Sequence, residues 1–322
     1  MSTPAQADEL GTRIRVSGAS RPGHVRSVNQ DAHFAGEVGA RTLLLVADGM
    51  GGHQTGEVAS AQATEAIRAQ LASSRAHPPA ALARALQRAN HEVLAHARAD
   101  PKHEGMGTTL TAVLIDDDIG LIAHVGDSRA YLWRDGALHP LTEDHSWVAE
   151  RVRQGLLSEE EARQHRWRNV ITNALGATDR FRLDLAHVAL QAGDRLLVAS
   201  DGVTALIPEG ELAEMLAEGA PDEVVARLLD AADARGSPDN VTAAVAVVDA
   251  AQHGPRPYEL PAAVPWTVDV GDTLSGIRQV EDRYPGRGPL RWARRQSWYP
   301  YRLWILGSLY LFLLLLAFLL VR

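Results

Sequence analysis

Aspartates at the ends of apolar runs are the residues of this sequence best suited to chemistry. Asp48 ends "LLLVAD", Asp127 ends "LIAHVGD" and Asp201 ends "DRLLVASD". Asp239, in "GSPDNVTAAVAVV", comes just before another apolar run, so an antiparallel strand there would bring it to the same sheet edge. Four adjacent carboxylates repel one another unless cations lie between them, and oxygen ligands suit Mg²⁺ or Mn²⁺. The pattern therefore predicts a divalent-metal site.

A simpler explanation exists for each aspartate taken alone. Asp-Gly is a common turn dipeptide, so "ADG" at Asp48 or "SDG" at Asp201 is equally typical of a hairpin turn. The four together favour the metal site. The chain has no cysteine, which excludes disulfides and thiolate metal ligands and fits a reducing compartment.

The elements that must hold these aspartates follow from hydrophobic periodicity. Strands are predicted at 42–47, 108–115, 119–125, 129–133, 182–188, 195–199 and 241–248. Helices are predicted at 56–72, 80–98, 209–216 and 222–234. Two long helices come early, a helix pair comes late and strands lie between them, which predicts a layered α+β fold rather than strict βαβ alternation.

Charge is divided unevenly along the 322 residues, 46% of which are hydrophobic. The formal net charge is −8, and seven arginines without any acidic residue follow position 282, so residues 1–282 carry −15. An acidic body argues against nucleic acid as a partner, whereas the basic stretch suits an anionic membrane surface.

A run of nineteen residues without a charge, 303–321, predicts one transmembrane helix. Six arginines precede it and Arg322 alone follows, so the positive-inside rule predicts that the preceding part of the chain is cytoplasmic. The start of the sequence shows no export signal. A buried core helix is the alternative, but such helices rarely carry leucine or phenylalanine on every face.

Several motifs occur in the order found in metal-dependent protein phosphatases. They are "VRSVNQD" (25–31), "VADGMGGHQTGEVAS" (46–60), "GMGTTLTAVLI" (105–115), "HVGDSRAYL" (124–132), "HSWV" followed by "NVITNALG", "LLVASDGV" (196–203) and "GSPDNVTAAV" (236–245). The chain resembles the bacterial branch of the protein phosphatase 2C (PPM) family over roughly residues 12–250.

The resemblance implies a fold and a metal-ligand set. The fold is a four-layer α-β-β-α sandwich with a central antiparallel β-sandwich flanked by helix pairs. Asp48 corresponds to a bridging carboxylate, Gly49 to a backbone-carbonyl ligand, and Asp201 and Asp239 to the other direct ligands. The family aspartate that holds metal-bound water corresponds to Asp31. A weaker third metal site would take Asp127 with Asp201.

The chemistry implied is hydrolysis of phosphoserine and phosphothreonine. A hydroxide bridging two Mn²⁺ or Mg²⁺ ions would attack phosphorus. Arg26 would clamp phosphate oxygens through its planar guanidinium. His53 is the candidate general acid, with a solvent-facing loop histidine as the alternative. Eukaryotic relatives have histidine two residues after the first aspartate, where this chain has Met50.

Two further segments have predicted roles. Residues 144–178 correspond to the flap of bacterial members, a lid that influences substrate choice. Residues 251–302 form a proline-rich and then arginine-rich linker. Within it, "WTVDVGDTLSGI" (266–277) weakly resembles the start of a LysM peptidoglycan-binding module, but no second half follows. A short ordered segment, used for docking a kinase or scaffold, accounts for it better.

The sequence as a whole predicts a phosphatase anchored to the cytoplasmic membrane by its C-terminal helix. Its partners would be phosphorylated proteins, namely substrates of a eukaryotic-like Ser/Thr kinase, and no nucleic acid. One alternative is a catalytically idle membrane adaptor that binds phosphoproteins or a kinase. Another is a cell-wall sensor built on residues 266–277.

Overall fold

The structure is a computed structural model that describes residues 12–51, 55–251 and 266–270. Two antiparallel β-sheets dominate these residues. Sheet I has the strand order β1-β11-β10-β7-β8. Its strands are Arg13–Arg21 (β1), Val241–Ala250 (β11), Arg195–Ala199 (β10), Arg129–Arg134 (β7) and Ala137–Pro140 (β8).

Sheet II has the order β12-β9-β6-β5-β3-β2, with the short β4 paired to β3. Its strands are Trp266–Val270 (β12), Phe181–Ala189 (β9), Ile119–Val125 (β6), Leu110–Asp116 (β5), Arg41–Met50 (β3), Asp31–Val38 (β2) and Gly107–Thr108 (β4). Because β5 runs antiparallel to both β3 and β6, the last residues of β3 and β6 lie at one edge of the sheet. We call this the metal edge.

The described part of the chain contains seven α-helices and one short 3-10 helix, Pro101–His103. The α-helices are Thr55–Ser73 (α1), Pro78–Ala99 (α2), Trp147–Arg153 (α3), Glu159–Gln164 (α4), Asp201–Thr204 (α5), Glu209–Ala217 (α6) and Pro221–Ala234 (α7). Proline occupies the first turn of α2 and α7, where its missing N–H costs nothing. A capping box formed by Ser158 and Glu161 begins α4.

Strand β3 shows how the sequence builds the layers. Leu43, Leu45 and Ala47 pack with α1 and α2 in one core, whereas Leu44 and Val46 face sheet I in a second core. A third core lies between sheet I and the helices α6 and α7. Since β3 is covered on both faces, its sequence is a continuous apolar run rather than an alternating one. The layer order is helix, sheet, sheet, helix.

The predicted α+β class with antiparallel sheets is therefore confirmed. Strand β12 lies in the stretch predicted to be a linker, and its residues pair with β9 from Trp266 opposite Leu185 to Val270 opposite Phe181. No helix within the described residues has the length and apolar character needed to cross a bilayer. The predicted transmembrane segment 303–321 lies outside the described residues.

Candidate metal centre

The metal edge brings the predicted aspartates together. Asp48 lies near the end of β3, and Asp127 follows β6 after one glycine. In sheet I, Asp201 follows β10 and Asp239 precedes β11, and these two strands are antiparallel neighbours. Asp31, the first residue of β2, lies directly opposite Asp48. Like charges in cross-strand positions destabilise a sheet, so this arrangement calls for a counterion.

Burial and mutual repulsion raise the pKa of these carboxyl groups. The pKa of Asp48 lies well above its usual value, first because of burial and then because Asp31, Asp201, Asp127 and Asp239 are all close to it. Burial, with neighbouring carboxylates adding to it, raises the pKa of Asp31 to about 7, of Asp127 to about 8 and of Asp201 to about 6. Such groups need protons or cations near neutral pH.

Three carboxylate oxygen atoms point to a bound cation more directly than the pKa shifts do. Oδ1 of Asp31, of Asp127 and of Asp201 is buried and has no hydrogen-bond partner in the described part of the chain. Buried oxygens normally have partners, and unpaired ones in a native site commonly mark an ion or water. No three acidic or histidine side chains among the described residues form a closed metal site. Carboxylate oxygens suit Mg²⁺ or Mn²⁺, which keep water ligands and also use backbone carbonyls.

Gly49 has no room for a side chain. A Cβ there would lie 2.0 Å from the carbonyl oxygen of Gly56 in α1 and 2.5 Å from that of Gln30. The close approach of α1 and of residue 30 to the strand therefore requires glycine at this position. The amide of Gly49 donates a hydrogen bond to Gln30 O over 3.0 Å, which fixes its peptide next to Asp48.

Arg26 reaches this centre from the loop between β1 and β2. Its Nη2 donates a hydrogen bond to Oδ2 of Asp239 over 2.9 Å, and its side chain is 48% exposed. This hydrogen bond is the main cause of its raised pKa, and the charges of Asp48 and Asp201 add to it. A half-exposed guanidinium beside a metal edge can bind the oxygens of a phosphate.

Comparison with known proteins identifies the family. The family model described as protein phosphatase 2C matches residues 22–245. The serine/threonine phosphatase stp of Listeria monocytogenes is 36% identical over 218 residues, which cover 66% of this chain and 86% of that protein. The chain belongs to the protein phosphatase 2C family. The predicted family is confirmed.

Solved structures of this phosphatase family agree with the fold. The serine/threonine phosphatase PstP of Mycobacterium tuberculosis superposes with a TM-score of 0.68 and 36% identity, covering 73% of this chain and 99% of that one. A PstP catalytic domain in complex with two manganese ions gives a TM-score of 0.67 and 36% identity, covering 73% of this chain and 98% of that one. The chain is a metal-dependent phosphoprotein phosphatase, with Mn²⁺ or Mg²⁺ as cofactor.

The structure thus brings together all but one of the predicted site residues of the phosphatase, namely Asp31, Asp48, Gly49, Asp127, Asp201 and Asp239, with Arg26 beside them. The exception is His53, which lies outside the described residues. The individual roles of all these residues stay predictions.

Threonines that are not among the predicted site residues also contact the aspartates. The hydroxyl of Thr109 accepts a hydrogen bond from the amide of Asp48 over 2.9 Å, and Thr109 N donates to Asp48 O over 2.8 Å. Thr242 donates through its hydroxyl to Oδ2 of Asp31. The motif "GMGTTL" contains Thr108 and Thr109, and only the structure shows that the hydroxyls of both hydrogen-bond to the backbone of Asp48.

The predicted flap begins at a buried histidine. His145 is fully buried, its Nδ1 accepts a hydrogen bond from Gly126 N over 3.2 Å, and its Nε2 lies 3.0 Å from Asp184. Asn173 at the far end of the flap also contacts Nδ1, over 2.7 Å. Because Gly126 precedes Asp127, the two ends of the flap are anchored beside the metal edge. Helices α3 and α4 lie within the flap.

Proposed function

We propose that this phosphatase hydrolyses phosphoserine and phosphothreonine at a dinuclear Mn²⁺ or Mg²⁺ centre held by Asp48, the Gly49 carbonyl, Asp201 and Asp239. The observation that carries the proposal is the cluster of buried carboxylates at the metal edge, whose pKa values are raised and three of whose oxygens have no partner among the described residues. A non-catalytic adaptor has no need of such a set. Asp31 would hold metal-bound water, and Asp127 would contribute to a third, weaker site.

The cations, when bound, would supply a hydroxide nucleophile near neutral pH and neutralise the phosphate. The protein's own groups bind and orient the phosphate monoester. Arg26 would exchange its hydrogen bond with Asp239 for one with a phosphate oxygen, which fixes the monoester at the metal edge. The hydrogen bonds from the Asp48 amide to the Thr109 hydroxyl and from the Thr109 amide to the Asp48 carbonyl fix the backbone that carries this carboxylate.

His53 is our candidate for the general acid that protonates the leaving serine or threonine oxygen. Imidazole titrates in the useful range, and "GGH" directly follows β3 in the sequence. The flap, anchored by His145 next to Gly126, would act as a lid over bound phosphoprotein. It carries three of the four exposed large apolar side chains of the described residues, Leu156, Trp167 and Val170, which suits contact with a protein substrate.

The location of the enzyme is also proposed. The uncharged segment 303–321 would anchor it as a single-pass protein with the phosphatase domain in the cytoplasm. Substrates of a eukaryotic-like Ser/Thr kinase at the same membrane would be its targets. Cleavage of residues 271–302 by protease in inverted vesicles, but not in spheroplasts, is the expected result. Cleavage from the outer side would contradict this topology and favour the cell-wall sensor.

The decisive test is phosphate release from a phosphothreonine peptide by the full-length chain. We expect turnover with Mn²⁺, none with EDTA, and a loss on the order of 10³-fold for Asp201→Asn, because a metal ligand supplies several kcal/mol of transition-state stabilisation. Asp230→Asn, on an exposed face of α7, is the matched control and should retain full activity. A folded, Mn²⁺-binding wild-type chain without turnover would instead favour the phosphoprotein-binding adaptor.

A further inference from the structure

The side chain of Asn240 hydrogen-bonds to a single loop, residues 22–30. It is 3% exposed, and its Oδ1 accepts a hydrogen bond from Gln30 N over 2.8 Å. Its Nδ2 donates to Pro22 O over 3.0 Å and to Val28 O over 3.2 Å. A carboxamide offers two donors and one acceptor oxygen, so both donors and the acceptor are committed to residues 22–30.

This loop has no helix or strand of its own, and it carries Arg26 near its exposed tip. Its other contacts are with the same neighbourhood: His24 N donates to Ser237 O over 2.9 Å. Gly23 has φ +70°, and a Cβ there would lie 2.1 Å from Asp239 O. The loop is therefore positioned by residues 237–240 rather than by its own secondary structure.

The far end of the loop is tied to the other sheet. Gln30 O accepts hydrogen bonds from Gly49 N over 3.0 Å and from the Ser60 hydroxyl over 2.6 Å. Asn240 immediately precedes β11 of sheet I, whereas Gly49 lies in β3 of sheet II. Asn240 and Gln30 thus connect the two sheets at the metal edge, with the arginine loop between them.

We propose that Asn240 is a positioning residue for phosphate binding. It contacts no substrate and acts through the loop backbone, holding Arg26 at a fixed place beside Asp239. A free loop would leave the long arginine side chain to sample many positions, and a misplacement of about 1 Å can cost on the order of 10²-fold in rate. The inference rests on the proposed phosphate-binding role of Arg26.

A double-mutant cycle tests this role. Full-length wild type, Asn240→Ala, Arg26→Ala and the double variant are assayed with Mn²⁺ and p-nitrophenyl phosphate, with inorganic phosphate as competitive inhibitor. We expect Asn240→Ala to lower kcat/KM by roughly 10- to 100-fold and to raise the Ki of phosphate. In the Arg26→Ala background the same substitution should cost less than about threefold, because the loop then has no guanidinium to position.

Asn90→Ala is the matched control. Asn90 is also buried, at 4% exposure, and its side chain joins Gly176 N and Thr178 O, away from the arginine loop. Its loss should lower the melting temperature by a similar amount, while its effect on kcat/KM multiplies with that of Arg26→Ala. This contrast separates positioning of Arg26 from general destabilisation.

The inference is overturned if Asn240→Ala leaves the Ki of phosphate unchanged, or if its effect multiplies fully with that of Arg26→Ala. Should Asn240→Ala fail to fold, Asn240→Ser, which keeps one short polar group, serves in the same cycle. A wild-type chain that binds Mn²⁺ but turns over no substrate would contradict the proposed function alone. The cycle is then measured as phosphate affinity by calorimetry.

Discussion

Asp194, just before β10, and Asp127, just after β6, are both almost fully buried, at 2% and 8% exposure. Arg134 donates two hydrogen bonds to the Asp194 carboxylate, over 2.8 and 2.6 Å. Asp127 has no such partner within the described residues: its Oδ1 is unpaired, and the nearby Arg129 is bound to Asp144 through two contacts of 2.8 Å. Arg134 neutralises the buried Asp194 carboxylate within the fold, whereas Asp127 is available to bind a cation from solution.

The difference distinguishes an aspartate that holds the fold together from one that is available for chemistry. A carboxylate paired with arginine fixes two segments of backbone, and it has no capacity left for a ligand. An unpaired buried carboxylate costs stability, and it persists because the metal edge needs it. Both arise from aspartates beside apolar strands, so the partner decides the role.

The largest contrast is expected from removing one carboxylate charge from the metal edge. Asp48→Asn should lower kcat/KM on the order of 10³-fold, because the central metal ligand is lost. The same change should raise the melting temperature in EDTA, since it relieves repulsion among buried carboxylates. Steady-state kinetics and thermal melts check both effects. A lower melting temperature in EDTA would show that the group is not destabilising in the absence of metal.

The same aspartate-to-asparagine change at Asp194, which is paired with Arg134, should lower stability and not raise it. Asp194→Asn is expected to lower the free energy of unfolding by about 2–4 kcal/mol, less than for a fully buried pair because Arg134 reaches solvent. Activity per folded molecule should stay within about threefold of wild type, because Asp194 lies outside the metal edge. Denaturant melts and kinetics measure the two quantities. A large loss of kcat with unchanged stability would contradict the structural role.

A smaller effect should appear in the pH dependence of stability without metal. Folding raises the pKa of Asp31 from 3.8 to about 7 and that of Asp127 from 3.8 to about 8. At a pH above 3.8 and below these raised values, the folded state therefore binds more protons than the unfolded state. Stability in EDTA should therefore fall as pH rises from about 4 to about 8, which a decrease in melting temperature will show. Saturating Mn²⁺ should remove the decline, and a melting temperature that rises with pH in EDTA would contradict it.

The smallest effect is expected for an exposed pair. Arg88 and Glu92 lie one turn apart on α2, with 57% and 32% of their side chains exposed. Glu92→Gln should cost about 0.5 kcal/mol or less, because solvent screens the charges. Melts at low and high salt measure this, and a loss above about 2 kcal/mol would mean that the exposed pair behaves like the buried one.

Much of the fold could be predicted from hydrophobic runs. β6 and β10 begin and end where expected, since buried strands in a sandwich are apolar throughout. β1 and β2 are not predicted because polar and apolar residues alternate only over the first few positions of "RIRVSGASR" and "DAHFAGEV", before small residues follow. Helices α3 and α4 were missed because the flap is too charged to show an apolar face.

The site residues likewise fall into those that the sequence reveals and those that only the structure reveals. Aspartates at strand ends could be found from the sequence because strand direction and the antiparallel pairing of β10 with β11 place them at one edge. The residues that orient the centre, such as Thr109 and Asn240, could not. Their roles depend on contacts over 61 and 210 residues of sequence separation, which local pattern does not encode.

Strand β12 determines where the chain can be shortened. It covers the outer side of β9, and its Val270, fully buried, pairs with Phe181. A fragment ending at residue 250 would leave the N–H and C=O groups of β9 open along an apolar edge. Such edges recruit strands from other molecules, so this fragment should form oligomers and aggregates. A fragment extended beyond residue 270 should stay monodisperse.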